Sequence, residues 1–337
     1  FDQLNHLFFT LPETVKKLPA SKRPAYIEER CSGPYYYVTD HTAFECSATR
    51  EIQENMEMRI YRELLGPDMH KYLDILLETQ YVKCGNGTAL VPASRFSGEM
   101  NTSLGNSITN YVFIKMIMDR FNITGNFFIE GDDGLLCFEQ QLDTQAVADF
   151  ARENGFNLKI AEVARPGDAG FLSTFWSEAL YPYKKPLGKY LAGCAWKLPQ
   201  SVLSSEDLMI SRLASMIEEN PENDLLIKMY EGFCRIWNRS SESFVYKPDD
   251  NYFREKLDLQ GVKYEHVAGM LRYRLPKFSC LPSGRAFLRE HYSVSDERYD
   301  EIVDMIRRNP LKSYAPLVSL FAQFDAKCSY LDYQQTW

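Results

Sequence analysis

The chain has 337 residues, of which 45% are hydrophobic and 14% aromatic, so it has enough apolar material for two or three domain-sized units. This composition excludes an intrinsically disordered chain. The formal charge of −8 excludes a simple basic nucleic-acid binder, because affinity for phosphates depends on an excess of Lys and Arg.

Cysteine spacing, hydropathy and the first residue predict the compartment of the chain, whether it spans a membrane and whether it is part of a longer protein. The eight cysteines lie far apart without a C-x-x-C pair, which predicts reduced thiols in a cytosolic protein. No window reaches the roughly eighteen uncharged apolar residues of a membrane span, so we expect no transmembrane segment in this chain. The chain begins with Phe1 and not Met, so we expect it to be part of a longer protein.

Three segments of the first half show clear periodicity. An aromatic and β-branched run at residues 35–38 predicts a short strand that leads into Asp40. Residues 47–65 carry an apolar side chain at every fourth position and are followed by a Gly-Pro pair, which predicts one amphipathic helix. A similar apolar face predicts a second helix at residues 102–121.

A pair of acids lies between the next two apolar runs. Residues 127–130 and 135–138 flank the sequence Gly131-Asp132-Asp133-Gly134, which predicts a β-hairpin with both acids at its tip. Glycine on either side suits the dihedral angles of a tight turn and leaves room for a ligand to approach the backbone.

The remaining elements are predicted to be mostly helical. A helix is expected at residues 144–154. Beyond Trp196 the sequence pattern changes and predicts long helical segments. There Ser204 resembles the start of a capping box, and Ser295 opens another helix with two acids behind it. We therefore expect a domain boundary near residues 190 to 200.

If the acids meet in space, they predict a phosphoryl transfer that depends on divalent metal ions. Asp40 leaves a strand about ninety positions before the hairpin tip, so the two could converge if their strands are neighbours in one sheet. Three crowded carboxylates would take up protons unless divalent cations neutralised them. Two such ions about 4 Å apart can activate a hydroxyl and stabilise the leaving oxygen of a phosphoryl transfer. Asp40, Asp132 and Asp133 are therefore predicted to hold two Mg²⁺ ions, for which Mn²⁺ can substitute.

A Gly-Asp-Asp triplet is weak support when it stands alone. It arises by chance roughly 8% of the time in a chain of this length, and two acids in such a turn more often form a solvated loop. A rarer pattern lies one helix earlier, where Ser97-Gly98, Thr102 and Asn106 are each separated by three residues. That pattern arises by chance well under about 1% of the time.

Together these segments resemble the motifs of viral RNA-dependent RNA polymerases. In that family D-x4-[D/E], S-G-x3-T-x3-N and G-D-D occur in this order, and the sequence supplies Asp40 to Glu45, Ser97 to Asn106 and Gly131 to Asp133. The first and third segments are most similar to the tombusvirus-like polymerases of positive-strand RNA viruses. The resemblance covers about residues 35 to 180.

The resemblance implies a fold and an activity. It implies an α+β, right-hand polymerase with an antiparallel palm sheet flanked by helices, partial fingers and a mainly helical thumb. Residues 1–34 would be a fingers remnant, 35–195 the palm with a fingers insertion at about 66–96, and 196–337 the thumb. The expected reaction is template-directed nucleotidyl transfer from ribonucleoside triphosphates to an RNA 3′-hydroxyl in viral genome replication.

The resemblance also implies roles for the acids. Asp40 and Asp132 would coordinate both metals, with Asp133 nearby. Glu45, where most members carry Asp, would sense the ribose 2′-hydroxyl together with Asn106. A carboxylate and an amide together can satisfy that hydroxyl both as a hydrogen-bond donor and as an acceptor. The alternative for Glu45 is a surface acid that begins a helix.

Further positions are implied more loosely. Ser97 and Gly98 would form a mobile loop over the nucleotide, and Thr102 would support the 2′-hydroxyl pocket, although helix capping is an alternative for the hydroxyls. Lys159, in a segment similar to motif D, would donate a proton to the departing pyrophosphate, unless it is only a solvated lysine. Residues 170–173 resemble the hairpin that supports the primer strand.

One element of the family is not matched. The basic segment that grips the triphosphate lies well upstream of the first motif, and Lys16, Lys17, Lys22 and Arg23 are more typical of a solvated basic face. We therefore expect truncated fingers and a fragment that is inactive without the full fingers.

The resemblance implies a cellular setting as well. It implies RNA template and product, ribonucleoside triphosphates and other viral replicase proteins as partners. The expected location is the host cytoplasm, at membrane-associated replication complexes.

Two alternatives are kept open. A reverse transcriptase shares the paired Asp, but it usually has an aromatic residue near the pair and a bulky gate in place of the sugar-sensing acid, and Glu130-Gly131 and Glu45 oppose this. A non-catalytic module could hold calcium in the acidic turn, but the D-x-[DN]-x-[DN]-G spacing of a calcium loop is absent.

Overall fold

The computed structural model describes residues 2–18, 22–85, 87–96, 99, 101–184, 187–194, 204–239 and 284–324. The chain divides into two compact units, Phe1–Leu180 and Tyr181–Trp337. The predicted α+β fold class is confirmed, because helices flank a four-stranded antiparallel sheet in the first unit. The assignment of fingers, palm and thumb stays a prediction.

The first unit contains both helices and strands. The helices are α1 (Asp2–Phe8), α2 (Arg23–Arg30), α3 (Phe44–Ser47), α4 (Arg50–Asn55), α5 (Glu57–Leu64), α6 (His70–Leu76), α7 (Thr102–Phe121) and α8 (Thr144–Glu153). The strands are β1 (Tyr35–His41), β2 (Gln80–Cys84), β3 (Gly87–Val91), β4 (Gly125–Glu130), β5 (Asp133–Phe138), β6 (Leu158–Val163) and β7 (Thr174–Trp176).

The described part of the second unit is mainly helical. It contains β8 (Pro182–Lys184), α9 (Leu187–Cys194), α10 (Ser205–Glu219), α11 (Asp224–Ile236), α12 (Gly284–Tyr292), α13 (Asp296–Arg308) and α14 (Pro310–Phe324). The two predicted caps are confirmed: the Ser204 hydroxyl accepts from the Asp207 amide at 3.0 Å, and the Ser295 hydroxyl accepts from the Arg298 amide at 3.2 Å. Among the helices described, none has the length and apolar character needed to cross a membrane.

The sheet of the first unit has the strand order β4-β5-β1-β6, with every neighbouring pair antiparallel. Strand β1 is therefore central, although it is far from β5 in sequence. Its register pairs Thr39 with Gly134 on one side and Asp40 with Lys159 on the other. This register decides which side chains meet at the end of the sheet.

Gly134 allows β1 and β5 to approach each other at that end. A Cβ at this position would collide with the Thr39 hydroxyl, which donates to the Gly134 carbonyl at 3.3 Å. Thr39 is buried, so its hydroxyl needs this partner. The glycine after the acid pair is thus required by packing between strands.

Aromatic side chains fill the space between the sheet and the helices. Phe113 of α7 packs against Phe156 with ring centroids 4.3 Å apart, and Phe156 stacks on Phe44 at 5.9 Å. All three are buried, and each contributes about 1.5–3 kcal/mol by leaving water. This core fixes β1 and α7 relative to each other.

The predicted single helix over residues 47–65 is wrong in one respect. It is broken at Met56, whose φ of −102° and ψ of −79° end α4 and precede α5. Helix α4 begins at Arg50 and is capped by Thr49, whose hydroxyl accepts from the Ile52 amide. The residue after Met56, Glu57, is fully buried against Arg95. This buried ion pair, which the periodicity of apolar residues does not indicate, coincides with the break between α4 and α5.

The other predicted elements of the first unit are confirmed with small changes of boundary. Helix α7 spans residues 102–121 as predicted, α8 ends just before Gly155 at φ +83°, and the hairpin is β4 with β5. Residues Phe171–Ser173 form a tight turn, with Leu172 at φ 55°, that leads into β7, and their role beside a primer strand stays a prediction.

Candidate active site

The acid pair lies at the tip of the β4-β5 hairpin, with Asp132 in its two-residue turn and Asp133 as the first residue of β5. Glu130 pairs with Asp133, which leaves Gly131 and Asp132 as the turn residues. Gly131 has φ +66°, the sign that a type II′ hairpin turn requires at its first position. The predicted hairpin with acids at its tip is therefore present, and the strands hold its orientation.

Asp40 lies beside this turn. Because Thr39 pairs with Gly134 in an antiparallel ladder, the next position along β1 brings Asp40 level with Asp133. Neighbouring strands are about 4.8 Å apart, so acids separated by ninety positions in sequence reach the same end of the sheet. Asp40 remains exposed there, with 67% of its side chain accessible.

The electrostatics of Asp132 show that the acids affect one another. Partial burial raises the pKa of Asp132, and the nearby carboxylates of Glu45 and Asp40 raise it further, while a backbone hydrogen bond lowers it. Like charges that hinder ionisation are the signature of a carboxylate cluster. Glu45 thus joins the cluster from α3, where it is half-buried.

The donor groups of this cluster are of the kind that a divalent metal binds. Carboxylate oxygens are the ligands that Mg²⁺ prefers, and a cation would relieve the repulsion felt by Asp132. Among the residues described, however, no three His, Cys, Asp or Glu side chains are close enough to hold an ion. The acids thus fit a metal in chemical kind and in their position at one end of the sheet, while their side chains do not form a ligand group in this structure.

Lys159 lies on the other side of Asp40. Its position opposite Asp40 in the ladder puts Nζ 3.9 Å from the Asp40 Oδ2 atom, and both side chains are about two-thirds exposed. An exposed pair of this kind contributes little to stability, about 0–1 kcal/mol. The ammonium group is therefore available at the edge of the acidic cluster.

The predicted sugar-sensing residues on α7 have other partners. Asn106 is 3% exposed, and its Oδ1 atom accepts a hydrogen bond of 2.7 Å from Arg95. The Thr102 hydroxyl donates to the Phe96 carbonyl at 2.9 Å and so ties the preceding loop to the start of α7. Ser97 and Gly98 lie outside the described residues. The contact of Asn106 with a ribose stays a prediction.

Arg95 is the centre of a buried ionic network. Its guanidinium pairs with Glu57, and both side chains are nearly inaccessible. Burial raises the pKa of Glu57, and the adjacent guanidinium counteracts this rise. Gly105 leaves the space that the pair occupies against α7. The network joins α5, the loop before α7 and Asn106, and the sequence alone gave no sign of it.

One basic residue near the N-terminus lies close to the acidic turn. Lys16, Lys17 and Lys22 are exposed, whereas Arg23 is partly buried. Arg23 Nη2 lies 3.5 Å from Glu130 Oε2, directly before the turn. The exposed Lys16 ammonium contacts the hydroxyl of Ser103 at the start of α7.

Three residues near the turn were missed at the sequence level. Ser107 and Asn110 of α7 hydrogen-bond to the backbone of the turn, and His41 lies buried next to Asp40. Burial lowers the pKa of His41 to about 4, and the nearby Asn110 amide offsets only part of this. A signal was present, because Asn110 follows Asn106 by four residues and so shares its helix face.

The comparisons with known proteins concern the middle of the first unit. Residues 54–164 match a family model described as viral RNA dependent RNA polymerase. The matched segment, about a third of the chain, contains the acidic turn, α7 and Lys159, and it begins after Asp40 and Glu45. A search of curated proteins found no match to the chain.

Proposed function

We propose that the chain is the palm and thumb of an RNA-dependent RNA polymerase of the tombusvirus-like group. In this proposal it transfers ribonucleotides to an RNA 3′-hydroxyl during replication of a positive-strand viral genome. The observation that carries the proposal is the register that brings Asp40 level with the Gly131–Asp133 turn. The family match over residues 54–164 supports the same reaction.

The acidic cluster provides the metal site of the proposal. Asp40 and Asp132 would hold two Mg²⁺ ions, for which Mn²⁺ could substitute, and Asp133 would assist. Bound ions of this kind lower the pKa of an attacking hydroxyl and stabilise the leaving oxygen. The chain supplies acceptor-only oxygens from two strands that are fixed by the sheet. Burial and the neighbouring carboxylates both raise the pKa of Asp132, and a bound cation would stabilise its ionised form.

Selection of ribose is assigned to Glu45 and α7. Glu45 lies within electrostatic reach of Asp132, and its carboxylate can accept a hydrogen bond from a 2′-hydroxyl. Asn106 supplies the amide in this proposal, with Thr102 and the loop of Ser97 and Gly98 in support. Arg95 donates to Asn106 Oδ1, so the carbonyl end of the Asn106 amide is already engaged.

Lys159 is assigned the role of general acid. Its ammonium group is exposed beside Asp40, where the negative charge of a leaving pyrophosphate would develop. An ammonium there can donate a proton and also stabilise the charge.

The partners and the location follow from the proposed reaction. RNA template, RNA product and ribonucleoside triphosphates are its reactants, and other viral replicase proteins are its expected companions. The proposed location is the host cytoplasm at membrane-associated replication complexes.

Primer extension on an RNA template tests the function, with the chain assayed both alone and in a longer protein that includes upstream sequence. We expect Asp40→Ala and Asp132→Ala each to lower the rate about a hundredfold or more, because each removes several kcal/mol of charge stabilisation. Asp119→Ala, an exposed acid at the far end of α7, is the matched control and should leave the rate unchanged. Full activity in both variants would overturn the proposal.

The same assay separates the alternatives. A preference for CTP over dCTP supports the RNA polymerase, and the reverse preference supports a reverse transcriptase. Calcium binding without any nucleotide incorporation by the longer protein would favour the non-catalytic module.

A further inference from the structure

The backbone of the acidic turn rests on two buried side chains of α7. The Ser107 hydroxyl accepts from the Gly131 amide at 2.8 Å and donates to the Ser103 carbonyl at 2.7 Å. A hydroxyl can accept and donate at the same time, so both groups are satisfied. Ser107 is fully buried, and water therefore does not compete for these bonds.

Asn110 holds the turn on both sides of Asp132. Its Nδ2 atom donates to the Gly131 carbonyl at 3.2 Å and to the Asp133 carbonyl at 3.3 Å. The amide group has two hydrogens, one for each carbonyl. The opposite orientation of the amide would place Oδ1 against two carbonyl oxygens, so the turn itself fixes the orientation.

This orientation leaves the Asn110 Oδ1 atom facing away from the turn. It is buried and has no hydrogen-bond partner among the described residues, and the same holds for both ring nitrogens of His41.

We infer that Ser107 and Asn110 are positioning residues that hold the Gly131–Asp133 turn so that the Asp132 carboxylate faces Asp40. The inference rests on the proposed function, because it concerns the metal site of that reaction. It does not involve Asn106, whose carbonyl is bound by Arg95.

The physical reason lies in the shape of the turn. Asp132 is held only by its neighbours in a two-residue loop, and Gly131, with open space around its Cα, adds freedom. Three bonds from one rigid helix remove that freedom. Groups that orient metal ligands in this way typically change metal affinity or activity by about 10- to 100-fold when they are removed.

The test measures Mn²⁺ affinity by calorimetry together with kcat and KM for nucleotide. We expect Ser107→Ala and Asn110→Ala to weaken Mn²⁺ binding about tenfold and to lower kcat with little change in KM. Ser107→Thr keeps the hydroxyl and should retain most of the affinity.

Thr109→Ala is the matched control, because Thr109 is buried on the same helix and its hydroxyl has no partner among the described residues. The inference is overturned if the thermal stability of the Ser107 and Asn110 variants falls but their Mn²⁺ affinity matches that of Thr109→Ala. Asp132→Ala distinguishes a failure of the proposed function from a failure of the positioning role. If it leaves Mn²⁺ binding unchanged the proposed function fails, whereas a loss in Asp132→Ala alone rejects only the positioning role.

Discussion

At the scale of single residues, Glu45 is one methylene longer than the acid that most members of the viral polymerase family carry. In the structure it still lies within electrostatic reach of Asp132. The first turn of α3, which begins at Phe44, brings it there. The extra length is therefore accommodated without removing the acid from the cluster.

The first prediction concerns Glu45→Ala in the polymerase assay. A hydrogen bond to a charged group contributes about 1.5–3 kcal/mol, so we expect the ratio of CTP to dCTP efficiency to fall about ten- to hundredfold. The rate with CTP should fall less, because Glu45 is not assigned to the metals. Glu45→Gln, which keeps an acceptor oxygen, is the control, and an unchanged ratio in Glu45→Ala would remove the sugar-sensing role.

Lys159 is exposed and forms only a 3.9 Å pair with Asp40, so its replacement should hardly affect folding. We predict that Lys159→Leu lowers kcat by about 10²- to 10⁴-fold with little change in KM, as expected for loss of a general acid. Lys159→Arg tests whether positive charge alone suffices. A rise in KM with unchanged kcat would contradict the proton-donor role.

At the scale of elements, α7 contributes more to the site than its motif indicates. One face carries Thr102, Asn106 and Asn110 at intervals of four residues, and these contact the preceding loop, the Arg95 network and the acidic turn in succession. The helix is buried on most sides, so its polar side chains must find partners within the protein. These polar side chains thus stabilise the packing of α7, and Asn110 also contacts the acidic turn.

The third prediction concerns the ion pair that links α5 to the loop before α7. Arg95→Met leaves Glu57 buried without its cation, and we expect a loss of about 3–5 kcal/mol in the free energy of unfolding. The double variant Arg95→Met with Glu57→Leu should recover part of this loss, because it removes the unpaired acid. Urea unfolding of the parent, the single variants Arg95→Met and Glu57→Leu and the double variant measures the coupling, and strictly additive losses would show that the two residues act independently.

At the scale of the whole molecule, all the catalytic candidates lie in the unit Phe1–Leu180. The described part of the second unit contributes helices with well-formed caps, and no residue of it is assigned to the reaction. Binding of ions to the first unit should therefore appear as a change in the stability of that unit.

The fourth prediction is that Mg²⁺ or Mn²⁺ raises the melting temperature of the chain. A ligand that binds only the folded state at ten times its Kd adds about 1.4 kcal/mol to the free energy of unfolding. Asp40→Asn and Asp132→Asn should lose this response, and they should be at least as stable as the parent without metal, because each removes a repelling charge. Equal shifts in parent and variants would indicate that the ions bind elsewhere.

The sequence by itself determined the local structure and the kinds of residue in the site. The aromatic run before Asp40, the glycines around Asp132 and the periodic face of residues 102–121 act through neighbours close in the chain, and each formed its predicted strand, turn or helix. Local preferences can be read in this way because they depend on backbone dihedral angles and on side-chain spacing.

Only the tertiary structure decided which distant residues meet. The pairing of β1 with β5, the burial of Glu57 with Arg95 and the hydrogen bonds from Asn110 to the turn join residues separated by 21 (Asn110 to Gly131) to 103 positions (Tyr35 to Phe138). Such contacts depend on how whole elements pack and on which polar groups are then left without water. No local pattern encodes that outcome, so the sequence could point to the acids of the candidate site, and only the fold showed which side chains contact the turn that carries them.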